Sequence, residues 1–172
     1  LVVRCNNHDT TTPHLSVEDK VGLLEDARAL SIAGLGDPSG LVELVRGLGA
    51  ERNANVVGEA VAILSTLNNV LRYLSDQSGD KTVLNNYQSF AKQLFRAGVH
   101  EVGFDNGPDD DSNTKRVRSL FLSYAALFLY DDNFVATEAK KRFDNFLTDR
   151  KSISADSRAA VFKISVKNGG EE

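Results

Sequence analysis

Apolar residues recur three and four apart along most of this chain, and short polar breaks carrying Asp, Ser, Pro or Gly divide the pattern into segments. That spacing is the signature of amphipathic helices. The first segment opens at Ser16, with Asp19 three residues on as an approximate capping box. Val17, Val21, Leu24 and Ala27 form its stripe, Leu23 and Leu30 widen it, and Gly34 supplies a stop. Asp37-Pro38 predicts an immediate restart, with Asp as cap and Pro where a missing N–H costs nothing. Leu41, Val42, Leu44, Val45 and Leu48 mark that face, and Gly49 ends it.

A longer helix is predicted from about Asn55 to Ser75, buried through Val57, Val61, Leu64, Leu67, Leu71 and Leu74. Asp80 caps a segment with Val83, Leu84, Tyr87, Phe90, Ala91, Leu94 and Phe95, stopped by Gly98. After the polar stretch 100–113, Ser112 or Asn113 starts a helix facing inward through Val117, Leu120, Phe121, Tyr124 and Phe128. Asp131-Asp132 precedes a segment with Phe134, Val135, Ala139, Phe143, Phe146 and Leu147. Ser154 begins the last, carrying Ala159, Phe162 and Val166. Only Leu1 to Val3 and 162–167 hint at strands, and the cap before the second makes it helix.

About seven helices on short turns predict antiparallel neighbours. Their starts pair as 16 with 38, 55 with 81 and 113 with 132, a spacing suited to stacked hairpins of the HEAT or armadillo kind. The fold class is therefore all-α, a HEAT/armadillo-like stack forming part of an α-solenoid, with a compact bundle as the alternative. Residues 1–172 read as a single helical domain, with 1–14 and 168–172 as poorly ordered ends. The absence of methionine at position 1 predicts a processed or excised chain.

Composition narrows the partners. A net charge of -4 argues against nucleic acid or an anionic membrane surface, since phosphate partners call for a basic face. No uninterrupted apolar run reaches the roughly 18 residues of a membrane span, and the start LVVRCNNHD turns polar too soon for a signal peptide. Cys5 is the sole cysteine, which excludes an internal disulfide and favours the cytoplasm without fixing the compartment.

The search for chemistry ends mostly in structural readings. HEVGF at 100–104 has the first two residues of a zinc-binding HExxH but Phe104 where the second histidine belongs. His8 and His14 lie in a Thr-rich polar stretch and read as solvated. Asp109-Asp110-Asp111 fails as a calcium loop, because Thr114 and Leu120 occupy its glycine and bidentate-glutamate positions. Gly34, Gly36 and Gly40 lack the Lys-Ser/Thr tail of a phosphate loop, and no G-x-S-x-G elbow is present. The cations Lys115, Arg116 and Arg118 either solvate a helix start or, facing a concavity, hold a carboxylate. No residue qualifies as catalytic and none as a metal ligand.

Three phrases, in order, resemble the C-terminal helical domain of zinc aminopeptidases of the aminopeptidase N and puromycin-sensitive type. LSVEDKVGLLEDARALSIAG matches through Asp19, Leu23, Leu24, Asp26, Ala27, Leu30, Ala33 and Gly34. Gly103-Phe104 and Val117-Arg118 stand where that family has Gly-Trp and Leu-Arg, and Arg158, Val161, Phe162 and Gly169 match near the end. Together they cover about 150 residues. Departures are Lys20 for an arginine, Arg28 for a phenylalanine, and the lack of any tryptophan, with Gly58 near its place.

The resemblance implies a non-catalytic domain of an enzyme that removes N-terminal residues from peptides, using zinc bound elsewhere in the parent. It implies the catalytic domain and peptide substrate as partners, with this domain walling the active-site chamber. No cofactor belongs to this piece. Lys115 and Arg118 are the substrate-contact candidates, beside the family-like Gly-Phe phrase, with a helix-stapling ion pair as the structural reading of Arg118. A stand-alone helical scaffold for a protein partner is the alternative.

Overall fold

The computed structural model describes residues 15–169, so the expectations for Leu1 to Val3, Cys5, His8, His14 and the extreme ends lie outside the described residues. Eight helices are found among them: α1 Val17–Ile32, α2 Pro38–Arg46, α3 Ala54–Ser78, α4 Thr82–Leu94, α5 Arg96–Val102, α6 Ser112–Phe128, α7 Asn133–Thr148 and α8 Ala155–Asn168. No strand occurs in this range, and 162–167 is helical.

The caps explain most boundaries. Ser16 and Asp19 form a full capping box, each satisfying a backbone N–H of the other. Asp37 accepts from the Ser39 N–H ahead of Pro38, and Ser154 caps α8 through the Ser157 N–H. Gly34 and Gly79 take positive φ, of 71° and 74°, just past the ends of α1 and α3, a conformation that costs glycine nothing. Asp80 accepts from the Thr82 N–H and so steadies the start of α4.

Hydrogen bonds and ion pairs fix the relative directions of the helices. Lys20 meets Glu51 at 2.7 Å and Arg28 meets Glu59 at 2.9 Å, so α1 runs parallel to α3. Asn113 accepts from the Ala54 N–H at 2.8 Å, and Gly58 lies against Leu120, so α3 runs parallel to α6. At the far end Lys167 and Asn168 of α8 donate to the Ala126 and Tyr130 carbonyls as α6 finishes. The helices α1, α3, α6 and α8 thus form one parallel layer, each packed on the next. The return helices α2, α4 with α5, and α7 form the second layer. This is the two-layer order of an α-solenoid.

The core is continuous between the layers. Val56, Val57, Ala60 and Leu64 of α3 are fully enclosed, as are Phe121, Leu122, Tyr124 and Ala125 of α6. The α3 sequence alone is long and apolar enough to cross a membrane, and its contacts with α1, α4 and α6 account for that apolarity. Aromatic rings knit α4 to α6, with Phe95 against Phe121 at 5.3 Å and against Tyr124 at 5.4 Å. Burial raises the Tyr87 hydroxyl pKa, and that hydroxyl donates to the Leu64 carbonyl of α3.

Several expected positions differ. α1 buries only Leu24 completely, while Leu23 and Leu30 stay exposed. Leu74, Val83, Leu147 and Val166 are also exposed. Gly98 does not stop α4. The helix breaks at Phe95, and Gly98 sits inside the short α5. The pairing of 113 with 132 shifts too: α7 packs chiefly on α8, and α6 on α3, α5 and α8.

Candidate functional site

The loop between α5 and α6, residues 103–111, is built around one buried cation. Arg118 reaches back from the second turn of α6, its side chain only 7% exposed. Its Nε donates to the Val102 carbonyl at 2.9 Å, while Nη1 donates to Asn106 Oδ1 at 2.9 Å and to Asp110 Oδ2 at 2.6 Å. One guanidinium thereby ties the end of α5, the middle of the loop and its far side to α6. The Asp110 carboxyl is held below the usual carboxylate range, first by the hydrogen bond from Arg118 and then by the Gly107 N–H, with Lys115 adding charge. Asp111 caps α6 through the Thr114 N–H.

A second acidic hub lies alongside. Asp132 accepts from the Phe134 and Val135 N–H groups at the start of α7, pairs with Arg96 at 2.7 Å, and meets His100 Nε2 at 3.1 Å. Partial burial opposes its ionisation, but the Arg96 bond, the Val135 N–H and the charges of Arg96 and His100 outweigh it and lower its pKa. Arg142 of α7 pairs with Asp105 of the loop and with Glu138, and lies over the Phe104 ring at 4.8 Å. His100 stacks on Phe134 with centroids 4.6 Å apart. Glu101 pairs with Arg52 at 2.7 Å. The HEVGF stretch is therefore spent on helix packing.

Of the two sequence candidates, Lys115 is exposed on the first turn of α6 and Arg118 is enclosed. They share a helix start but present different chemistry: Lys115 offers a solvated ammonium, Arg118 a guanidinium already engaged by three oxygens.

The fold assembles another cation group that sequence order conceals. Lys167 of α8 donates to the Ala126 carbonyl and lies 4.4 Å over the Tyr130 ring. Its pKa is lowered by burial, then by the nearby charges of Arg72 on α3 and Lys163 on α8. Arg72 and Lys163 are both exposed and stand at opposite flanks of α6. Only the parallel order of α3, α6 and α8 brings them together. Near the same end, an open groove of about 600 Å³ between α7 and α8 is lined by Lys140, Phe143, Asp144, Ser165 and Val166.

Among the described residues no three His, Cys, Asp or Glu side chains cluster so as to hold a metal ion. His100 is engaged by Asp132, and Phe104 is buried.

Aminopeptidase 2 of Candida albicans is 29% identical over 159 residues, which is 92% of this chain and 16% of that protein. Mitochondrial Aminopeptidase 2 of Saccharomyces cerevisiae is 27% identical over 159 residues, covering 92% and 16%. The yeast Alanine/arginine aminopeptidase is 27% identical over 158 residues, covering 91% and 18%. The chain thus spans under a fifth of the length of these curated relatives. The family defined by the ERAP1-like C-terminal domain matches residues 5–172, all but four residues of the sequence, and the chain belongs to that family.

Proposed function

We propose that this chain is a non-catalytic C-terminal domain of a zinc-dependent aminopeptidase, one that walls the active-site chamber and contacts the peptide substrate. The observation that carries the reading is the family match over residues 5–172, together with aminopeptidase relatives that extend far beyond it. The catalytic domain is then the principal partner, and zinc belongs to it.

The contact we propose is electrostatic. An ammonium or guanidinium on a wall facing the chamber favours the carboxylate at the far end of a peptide. Of the two candidates on α6, Lys115 is the exposed one, and Arg118 supports it by holding the loop at its side. The exposed pair Arg72 and Lys163 offers a second place, since its near neighbour Lys167 is a like charge.

The test uses the full-length parent enzyme. Lys115→Ala, and separately Arg72→Ala with Lys163→Ala, are assayed on peptides ending in a free carboxylate or an amide. Contact with the carboxylate gives a KM raised several-fold for the free acid and unchanged for the amide. Equal KM values on both would sink the contact. A full-length protein that releases no N-terminal residues from peptides would sink the wider reading.

A further inference from the structure

The chain has two Asn-Gly steps, Asn106–Gly107 in the loop before α6 and Asn168–Gly169 at the end of α8. At such a step no Cβ shields the following nitrogen from the asparagine carboxamide. That nitrogen can add to Cγ, forming an N–C bond. The Cγ–Nδ2 bond then breaks, and ammonia leaves carrying the proton given up by the glycine N–H. Water opens the resulting succinimide at either carbonyl, leaving aspartate or isoaspartate. The balance is one water consumed and one ammonia released, with no redox partner.

The two steps sit in opposite surroundings, although both asparagines are exposed. In the loop, Arg118 Nη1 donates to Asn106 Oδ1 at 2.9 Å, the oxygen on which negative charge develops as nitrogen adds to Cγ. Asp110 Oδ2 accepts the Gly107 N–H at 2.6 Å and is placed to take its proton. Its pairing with Arg118 keeps it ionised. At the end of α8 the arrangement is reversed. Asn168 Nδ2 donates to the Tyr130 carbonyl at 2.5 Å and the Ile164 carbonyl at 2.9 Å, which pins the leaving amide. The Gly169 N–H donates to the Val166 carbonyl at 3.3 Å, a backbone oxygen in the place where the Gly107 N–H meets a carboxylate.

We propose that Asn106 is a self-modification site, at which Arg118 and Asp110 promote conversion through a succinimide to aspartate or isoaspartate while Asn168 is spared. The product places one more carboxylate beside Asp110 and Arg118, on the loop that adjoins Lys115. Isoaspartate also lengthens the backbone inside a loop held at three points by one guanidinium.

The experiment follows both sites in one sample. The full chain is incubated at neutral pH, folded and in parallel unfolded in urea. Peptide mapping then scores amide-to-acid conversion at 106 and 168, and enzymatic methylation scores isoaspartate. Folded chain should convert Asn106 at least about tenfold faster than Asn168, and faster than the unfolded chain converts Asn106. Asp110→Asn should slow Asn106 in the folded chain only, and Asp110→Glu, which retains a carboxylate, should restore it. If Asp110→Asn does not fold, the comparison of folded with unfolded wild-type chain decides. A folded chain that converts Asn106 no faster than the unfolded one overturns the proposal, because the same hydrogen bonds would then be protecting the step.

Discussion

At the scale of single residues, Arg118 and Lys115 separate two roles that look alike in the sequence. Arg118 is enclosed and bonded to three oxygens, so its truncation strands Asp110 and the Val102 carbonyl. Removing one partner of a buried pair is costly. Arg118→Ala should lower stability by about 3 kcal/mol in urea unfolding, whereas Lys115→Ala should change it by less than about 0.5 kcal/mol. A stability loss at Lys115 as large as that at Arg118 would show that the first turn of α6 is held differently. The carboxylates also set the acid limit. Asp110, Asp111, Asp132 and Glu51 all have pKa values lowered in the folded chain. Between folded and unfolded values the unfolded chain binds more protons, so stability rises with pH there. The contribution is complete above the unfolded values of about 4 and is lost as pH falls through the folded ones. Asp132→Asn should therefore weaken the fold at neutral pH and flatten the acid limb of a stability-against-pH curve. An unchanged limb would mean that Asp132 does not gain from Arg96 and the α7 N–H groups.

At the scale of elements, the sequence is a good guide to where helices begin and a poorer one to where they break. Ser16, Asp37 and Ser154 cap through their own neighbours, a local interaction that a short stretch of sequence displays in full. The cap on α3 is only half local. Asn53 accepts from the Asn55 N–H, but the Ala54 N–H is satisfied by Asn113, 59 residues away. Gly98 is the clearest miss. It reads as a helix stop, yet its role is to let α5 approach α6. A Cβ there would lie 2.6 Å and 2.8 Å from atoms of the Phe121 ring. That ring is fully buried against Phe95, with the Arg52 guanidinium 5.5 Å from its centroid. Alanine is favoured over glycine in a helix by about 1 kcal/mol, but overpacking costs roughly 1–3 kcal/mol. The enclosed ring has little room to yield, so packing wins. Gly98→Ala should destabilise the protein by about 1–2 kcal/mol, measurable as a lower urea midpoint with unchanged m. Added stability would mean that Phe121 moves freely.

At the scale of the whole molecule, the all-α class was legible because each apolar stripe has helical period, but the parallel layer was not. Parallel order depends on pairs such as Arg28 with Glu59 and Lys167 with Ala126, whose separation in sequence hides them. The same distance concealed the Arg72, Lys163 and Lys167 group. That layer also governs how disturbance spreads. In a stack each element leans on its neighbours alone, so stability is close to a sum of local terms. Leu24 is the one completely buried residue of α1. Leu24→Ala should remove about 2–5 kcal/mol from the contact of α1 with α3. At the other end, α8 packs on α6 and on α7, and the substantial packing of α1 is on α2 and α3. Hydrogen exchange on the variant should therefore speed up in α1 and α2 while α7 and α8 keep their protection. Equal loss across all eight helices would mean one cooperative core, with α3 and α6 coupling both ends more tightly than a nearest-neighbour stack allows.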